Sequence, residues 1–148
     1  MVKLNQDFKE FLKSLNDHEV RYLLVGGYAV GFHGYPRYTR DLDFWVEAEA
    51  LNAERLIEAL NDFGFSKVGL TAHDFIQANN VIQLGYPPNR IDLITSLTGL
   101  VFSECYSKRA VAVLDGVKTT ILDLESLKLN KRSIGRHQDL ADLERLEE

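Results

Sequence analysis

Two hydrophobic periodicities alternate along the chain. Apolar residues recur every three or four positions over residues 4–16 and 50–63, which predicts two amphipathic helices. Short apolar runs at residues 21–25, 81–84 and 90–95 predict strands, and Asp115-Gly116 is a turn signal that joins strands 110–114 and 117–122 into a hairpin.

Weaker patterns complete the predicted element order. They indicate short helices at residues 28–32 and 98–107, a strand at 65–70, a helical turn at 72–77 and two carboxyl-terminal helices, the first capped by Asp123. In the 98–107 helix, Leu100, Val101 and Cys105 are expected to face inward. This order predicts an α/β fold: a mixed, twisted sheet of roughly four to six strands, packed by helices on one side and extended by carboxyl-terminal helices.

The stretch from residue 41 to 46 carries the first candidate chemistry. Leu42, Phe44 and Val46 alternate with Asp41 and Asp43, so a strand here buries one face and presents two carboxylates on the other. Neighbouring carboxylates repel and raise each other's pKa. A hard divalent cation such as Mg²⁺, which prefers carboxylate and phosphate oxygens, relieves this repulsion.

A Gly-Gly pair precedes this strand by a short loop. Gly26 and Gly27 follow the apolar run Tyr22-Leu23-Leu24-Val25 and begin the short helix predicted at residues 28–32. The amino terminus of a helix exposes unpaired N–H groups, which suit a phosphate. Each motif alone also fits a simpler role, the glycines as a turn and the aspartates as the solvent face of an edge strand.

A third carboxylate interrupts a later apolar strand. Asp92 lies between Ile91 and Leu93 and points to the opposite face from both. A charge in such a strand needs a partner, and the sequence offers either a metal site or an ion pair with Arg90.

The order of these motifs resembles the signature of the DNA polymerase β-type nucleotidyltransferase superfamily: an apolar residue, two small residues, about ten residues and then Asp-apolar-Asp-apolar. Arg37-Tyr38-Thr39-Arg40-Asp41 is similar to the version in its small bacterial branch, the minimal nucleotidyltransferases and abortive-infection toxins. The resemblance implies transfer of a nucleoside monophosphate from a nucleoside triphosphate to an acceptor hydroxyl, with Mg²⁺ or Mn²⁺ as cofactor. It assigns catalytic and metal-binding roles to Asp41, Asp43 and Asp92, and nucleotide contacts to Gly26, Gly27, Arg37, Thr39, Arg40 and Lys128.

The carboxyl-terminal helices resemble the tail of small nucleotidyltransferases. Lys128, Arg136, Asp139 and Asp142 match a lysine followed by an Arg-x-Lys-Asp-x-x-Asp stretch, whereas Gln138 replaces the usual second lysine. This departure weakens the expectation that residue 138 carries charge to a substrate.

Composition sets the remaining expectations. A chain of 148 residues predicts one domain over residues 1–148, and its net charge of −5 provides no general attraction for nucleic acid. Cys105 is the only cysteine, so no intrachain disulfide forms, and no apolar run resembles a signal or membrane segment. A cytoplasmic location is therefore expected.

The acceptor is left open between a tRNA end, a protein hydroxyl and a small molecule. The resemblance also admits a toxin–antitoxin or phage-defence role with a small helical partner protein, or modification of an antibiotic. The alternative to an enzyme is a nucleotide-binding or antitoxin-like module that keeps the fold without turnover.

Overall fold

The computed structural model describes residues 5–34, 41–64, 69–85 and 90–147. Its strands are β1 (Tyr22–Val25), β2 (Asp41–Val46), β3 (Val81–Leu84), β4 (Arg90–Ile94), β5 (Ala110–Leu114) and β6 (Val117–Ile121). Its α-helices are α1 (Gln6–Asp17), α2 (Gly26–His33), α3 (Ala50–Phe63), α4 (Phe102–Ser107), α5 (Leu124–Ile134) and α6 (His137–Leu146), with a 3₁₀ helix at Ala72–Phe75. The α/β class and the mixed sheet predicted from the sequence are confirmed.

The described strands form one sheet in the order β3-β4-β2-β1-β6-β5. The central pair, β1 and β2, is antiparallel, while β2 runs parallel to β4 and β1 runs parallel to β6. The outer pairs, β3 with β4 and β5 with β6, are antiparallel. The centre of the sheet therefore contains β1, which ends at the Gly-Gly pair, and β2, which carries Asp41 and Asp43.

Local sequence signals explain where several helices begin and end. The side chains of Asn5, Glu49 and Asp123 accept hydrogen bonds from the first turns of α1, α3 and α5 respectively. Gly64 and Gly135 end α3 and α5 in the left-handed conformation that glycine adopts without a Cβ penalty. These caps fix the lengths of the helices that cover the sheet.

The core lies on both faces of the sheet. Phe44 packs against Phe11 of α1 with ring centroids 5.6 Å apart, whereas the adjacent Trp45 points to the other face and packs against Phe102 of α4 at 5.1 Å. Leu42, Phe44 and Val46 are all buried, as the alternating pattern predicted. The expectation of packing helices on one side is corrected, because α4 covers the face that carries Trp45.

The helix within residues 98–107 is also shorter than predicted. The helix begins only at Phe102, and Val101 is its extended N-cap residue with 55% of its surface exposed. The inward position predicted for Val101 is therefore wrong, whereas Cys105 is buried as expected.

Two further expectations concern the remaining segments. Residues 65–68 of the predicted strand at 65–70 lie outside the described residues, and Gly69 and Leu70 belong to no strand. Among the described helices, none has both the length and the apolar character needed to cross a membrane.

Candidate active site

The pairing of β2 with β4 brings the predicted carboxylates together. In this parallel pair Asp43 lies directly opposite Asp92, and Asp41 lies opposite Arg90. Paired residues on neighbouring strands project to the same face, with backbones roughly 4.8 Å apart. Asp41, Asp43 and Asp92 therefore form one acid cluster, although Asp43 and Asp92 are 49 positions apart in the sequence.

Arg90 is the cation of this acid cluster. Its Nη2 donates to Oδ2 of Asp41 at 3.1 Å and to Oδ2 of Asp92 at 3.3 Å. The surrounding carboxylates, Asp92 foremost, raise the pKa of Arg90 above its ordinary value. The ion pair with Arg90 that the sequence offered for Asp92 is thus present, and it extends to Asp41.

The arginine leaves part of Asp92 without a hydrogen bond. Nε of Arg90 lies 3.0 Å from Oδ1 of Asp92, yet both buried atoms lack a hydrogen bond because the N–H does not point at the oxygen. Asp92 is only 7% exposed, so water does not replace the missing donor freely. A buried carboxylate oxygen of this kind is a suitable ligand atom for a cation.

The carboxyl of Asp43 has a strongly raised pKa. Burial raises its pKa to about 7, and the charge of Asp92, a hydrogen bond with Asp92 and the charge of Asp41 act in the same direction. Arg90 lowers the pKa, but by less than these effects raise it. The carboxyl of Asp43 therefore gains and loses its proton near neutral pH.

The Gly-Gly motif lies directly beside this pair. Val25, the last residue of β1, is opposite Asp43, and Gly26 turns the chain into α2 with a φ of +68°. A Cβ at Gly26 would come within 2.9 Å of Cγ of Asp43 and closer still to Oδ2. Gly27 is buried in the first turn of α2. The first N–H groups of α2, which have no partner within the helix, thus begin at the edge of the acid cluster.

The cluster fits a divalent cation in its chemistry. Its ligand atoms are carboxylate oxygens, which Mg²⁺ and Mn²⁺ prefer, and one of them is buried without a hydrogen bond. Within the described ranges, no three His, Cys, Asp or Glu side chains are already arranged to hold a metal ion, and Arg90 contacts Asp41 and Asp92 instead. A cation entering the cluster must therefore share it with Arg90 or displace this side chain.

The other predicted nucleotide-binding residues are less informative. Arg37, Thr39 and Arg40 lie outside the described residues. Lys128 is on α5 and its amino group is 3.9 Å from Glu125, one turn away on the same helix. A nucleotide contact for any of these four residues stays a prediction.

The carboxyl-terminal motif forms a buried ionic network. Nζ of Lys131 lies 3.3 Å from Asp139 and 3.2 Å from Asp142, and Nε of Arg136 donates to Asp139 at 2.7 Å. Burial opposes ionisation of Asp139, but hydrogen bonds from Arg136 and Lys131 and their charges outweigh it and lower the pKa of this carboxyl. This network joins α5 to α6.

Gln138 and Lys131 both take part in the ionic network between α5 and α6. Gln138, which stands where the resembled stretch has a lysine, donates to Oδ1 of Asp142 at 2.8 Å and so supports the same network. The lysine that contacts both acids is Lys131, not Lys128, which the resemblance singles out. Its spacing of eight and eleven residues from the two acids gives no periodic signal, because a turn at Gly135 intervenes.

The sequence pattern also did not reveal that Arg90 contacts two carboxylates. It treated the arginine only as an alternative partner for Asp92. The signal was available, since residues 90 and 92 are two positions apart on one strand and share a face. That signal did not show that β2 is the neighbour of β4. Asp41 of β2 provides the second carboxylate.

Comparison with solved structures places the fold among nucleotidyltransferases. A proposed nucleotidyltransferase from Thermotoga maritima, TM1012, matches with a TM-score of 0.65 and 13% identity over 97% of this chain and 94% of that one. The lincosamide antibiotic adenylyltransferase LnuA, solved with lincomycin bound, matches with a TM-score of 0.58 and 15% identity over 99% and 98%.

A third structure is similar over a smaller share of its own length. It is an antigenic nucleotidyltransferase-like protein from Paracoccidioides brasiliensis, with a TM-score of 0.54, 17% identity and coverage of 95% of this chain and 74% of that chain. No protein-family model matches the sequence, and a search of curated proteins finds no relative. At these identities the likeness establishes the nucleotidyltransferase fold, and the activity has to be argued from the site.

Proposed function

We propose that the protein is a metal-dependent nucleotidyltransferase. It transfers a nucleoside monophosphate from a nucleoside triphosphate to an acceptor hydroxyl and releases pyrophosphate. The observation that carries this proposal is the register of β2 and β4, which sets Asp43 opposite Asp92 beside the amino terminus of α2. Three carboxylates and the amino-terminal turn of α2 then face one place, where a cation and a triphosphate have complementary ligands.

Each residue of the site has a role in this reaction. Asp41, Asp43 and Asp92 would hold Mg²⁺ or Mn²⁺, which when bound neutralises triphosphate charge and stabilises the transition state. The acceptor oxygen forms a bond to the α-phosphorus while the bond from this phosphorus to the oxygen of the β-phosphate breaks, and the pair of electrons leaves with pyrophosphate. Asp92 would accept the proton of the acceptor hydroxyl, while Asp43 stays ionised as a ligand of the cation.

The glycines provide space for the nucleotide. Without a side chain at Gly26, the carboxylate of Asp43 and the first N–H groups of α2 come close together. A triphosphate bound here would interact with the carboxylates only through the cation. It would contact the N–H donors of α2 directly. Arg37, Thr39, Arg40 and Lys128 are proposed as additional nucleotide contacts on the resemblance stated above.

The acceptor is proposed only by class. LnuA is described as a lincosamide adenylyltransferase, and it matches this chain over nearly the full length of both. A hydroxyl of a small molecule is therefore the first acceptor to test, with tRNA and a protein hydroxyl next. A toxin–antitoxin or phage-defence role with a small helical partner is a further proposal that rests on the sequence resemblance.

Arg90 supports a second candidate function. An arginine that already binds two of the three carboxylates stabilises the acid cluster without metal. A protein of this kind can retain the fold and bind nucleotide or a partner protein without turnover. The two candidates differ in one measurable property, which is covalent labelling of an acceptor.

The deciding experiment uses each nucleoside triphosphate labelled on its α-phosphate, with Mg²⁺ or Mn²⁺ and three acceptor pools: hydroxylated small molecules, tRNA and a cell extract. The enzyme proposal expects one pool to become labelled and pyrophosphate to be released. Asp92→Asn should reduce the labelling rate by a few powers of ten, which corresponds to roughly 3–5 kcal/mol of barrier. Its nucleotide affinity should stay within several-fold of that of the wild type.

Asp115→Asn is the matched control, because Asp115 lies in the β5–β6 turn, away from the acid cluster. It should label at the wild-type rate. Metal-dependent nucleotide binding without label in any pool would favour the non-catalytic candidate. Equal labelling by Asp92→Asn and wild type would remove Asp92 from the reaction.

A further inference from the structure

A basic cavity lies at the opposite end of β1 from the glycines. It has a volume of about 470 Å³, and its charged lining residues are Arg21, Arg55, Arg109, Lys118 and Glu19. The cavity includes Tyr22, the first residue of β1, whereas Gly26 follows the last residue of that strand. The length of β1, roughly 10 Å for four residues, therefore separates the cavity from the acid cluster.

The charge of this cavity is opposite to that of the protein. The chain has a net charge of −5, yet four cations and one carboxylate line the cavity. In the described part of the chain, the side chains of Arg55 and Lys118 take part in no ion pair. Arg21 has only a loose one, with Nη1 3.9 Å from Glu47. Positive charge gathered here without matching carboxylates favours an anion.

An aromatic stack holds two of these cations in position. The guanidinium carbons of Arg109 and Arg21 lie 4.2 Å and 5.5 Å from the ring centroid of Tyr106. Phe102 stacks on the same ring with an interplanar angle of 18°, and Arg109 also donates to the carbonyl oxygen of Tyr106 at 2.9 Å. Arg109 is thus ordered before any ligand arrives, while its remaining N–H groups stay available.

We propose that the basic cavity is a second ligand site, which binds a phosphate-bearing molecule without a metal ion. Arginine presents several N–H donors in a fork that matches phosphate oxygens, and lysine adds a compact charge. Arg109 and Arg21 form the ordered wall of the site, and Arg55 and Lys118 supply charge that the protein itself does not neutralise. The site is independent of the proposed catalytic reaction.

The phosphate has two sources, a small free phosphate compound or the backbone of a nucleic acid. Both present the same oxygen atoms to the cavity, and they differ in how binding responds to salt and to length. Binding of a nucleic acid that contacts several cations weakens steeply as salt rises. Titration with each compound at low and at high salt therefore distinguishes the two sources.

The test follows backbone amide signals of residues 106–111 and 117–121 by NMR in EDTA, which removes divalent metal from the acid cluster. One arm adds inorganic phosphate and another adds a short single-stranded RNA. We expect saturable shifts in these two segments with at least one compound. The double variant Arg55→Ala and Lys118→Ala should weaken this binding by about tenfold.

Lys108→Ala is the matched control, because Lys108 is an exposed cation next to Arg109 that does not line the cavity. It should bind as the wild type does. Arg55 and Lys118 pair with no acid of the described chain, so the double variant should retain the wild-type melting temperature. Absence of shifts with both compounds, or equal weakening in Lys108→Ala, would overturn the proposal.

Discussion

Gly26 lies so close to Asp43 that a single methyl group between them would collide with the carboxylate. The glycine is thus required for two reasons, its φ of +68° and the position of the carboxylate beside it. This contact connects the Gly-Gly motif to the acid cluster physically, because a larger residue at position 26 must move Asp43.

The first prediction compares two glycines that share a left-handed backbone. Gly116 has a φ of +82° but nothing within 4 Å of its missing Cβ, so Gly116→Ala reports the backbone cost alone, roughly 1–2 kcal/mol. Gly26→Ala adds the collision with Asp43, and we expect a larger loss of unfolding free energy together with lost metal-dependent nucleotide binding. Chemical denaturation and calorimetry measure the two effects. Identical behaviour of the two variants would show that the contact with Asp43 is unimportant.

The second prediction concerns pH. Burial and the neighbouring acids raise the pKa of Asp43 to about 7 in the folded protein, above its ordinary value of 3.8. The folded state therefore favours the protonated carboxyl. The stability that this provides is complete below about pH 4 and is lost as pH rises through 7.

Asp43→Asn isolates this effect, since an amide does not titrate. In EDTA, wild-type stability should fall relative to Asp43→Asn by about 2 kcal/mol between pH 5 and pH 8. Denaturant unfolding at both pH values measures the difference, and contributions from histidines cancel in the comparison. Parallel pH profiles for the two proteins would mean that Asp43 ionises normally.

The third prediction concerns competition between Arg90 and a metal ion. Arg90 contacts Asp41 and Asp92 through its guanidinium group, so it repels a second cation and occupies ligand oxygens. Arg90→Met removes the charge and keeps an apolar stem of similar reach. We expect Mn²⁺ to bind this variant about tenfold more tightly in the absence of nucleotide, equivalent to roughly 1.4 kcal/mol.

Calorimetry with Mn²⁺ alone measures this affinity. Arg132→Met is the control, because Arg132 pairs with Glu147 at the surface and not with the acid cluster. Weaker Mn²⁺ binding by Arg90→Met would show that Arg90 positions the carboxylates for the metal and does not compete with it.

The fourth prediction concerns the buried network between α5 and α6. Lys131 is 9% exposed in its side chain and contacts Asp139 and Asp142, which are each 1% exposed in theirs. Lys131→Met leaves two buried carboxylates with too little positive charge, and we expect a loss of about 3–5 kcal/mol of unfolding free energy. Lys128→Met should cost less than about 1 kcal/mol, because its pair with the exposed Glu125 is long.

Thermal and denaturant unfolding of both variants test this assignment. Nucleotide affinity, measured on the same preparations, separates the two lysines by function. A stable Lys131→Met with lost nucleotide binding would transfer the substrate-binding role predicted for Lys128 to Lys131.

The sequence by itself determined the faces of the elements. Alternation over residues 41–46 placed Asp41 and Asp43 opposite Leu42 and Phe44, because strand side chains alternate with a period of two. The same rule placed Asp92 opposite its apolar neighbours, and the Gly-Gly pair located the start of α2. These are local properties, and each depends on a few consecutive residues.

Only the tertiary structure decided which faces meet. No local pattern specifies that β4 pairs with β2, or that the register sets Asp43 against Asp92 and Asp41 against Arg90. The contact between Gly26 and Asp43, and that between Lys131 and the acids of α6, have the same origin. Register and packing follow from the burial of the whole core, so the partners of a charged residue depend on distant strands and helices that its own neighbours in sequence do not encode.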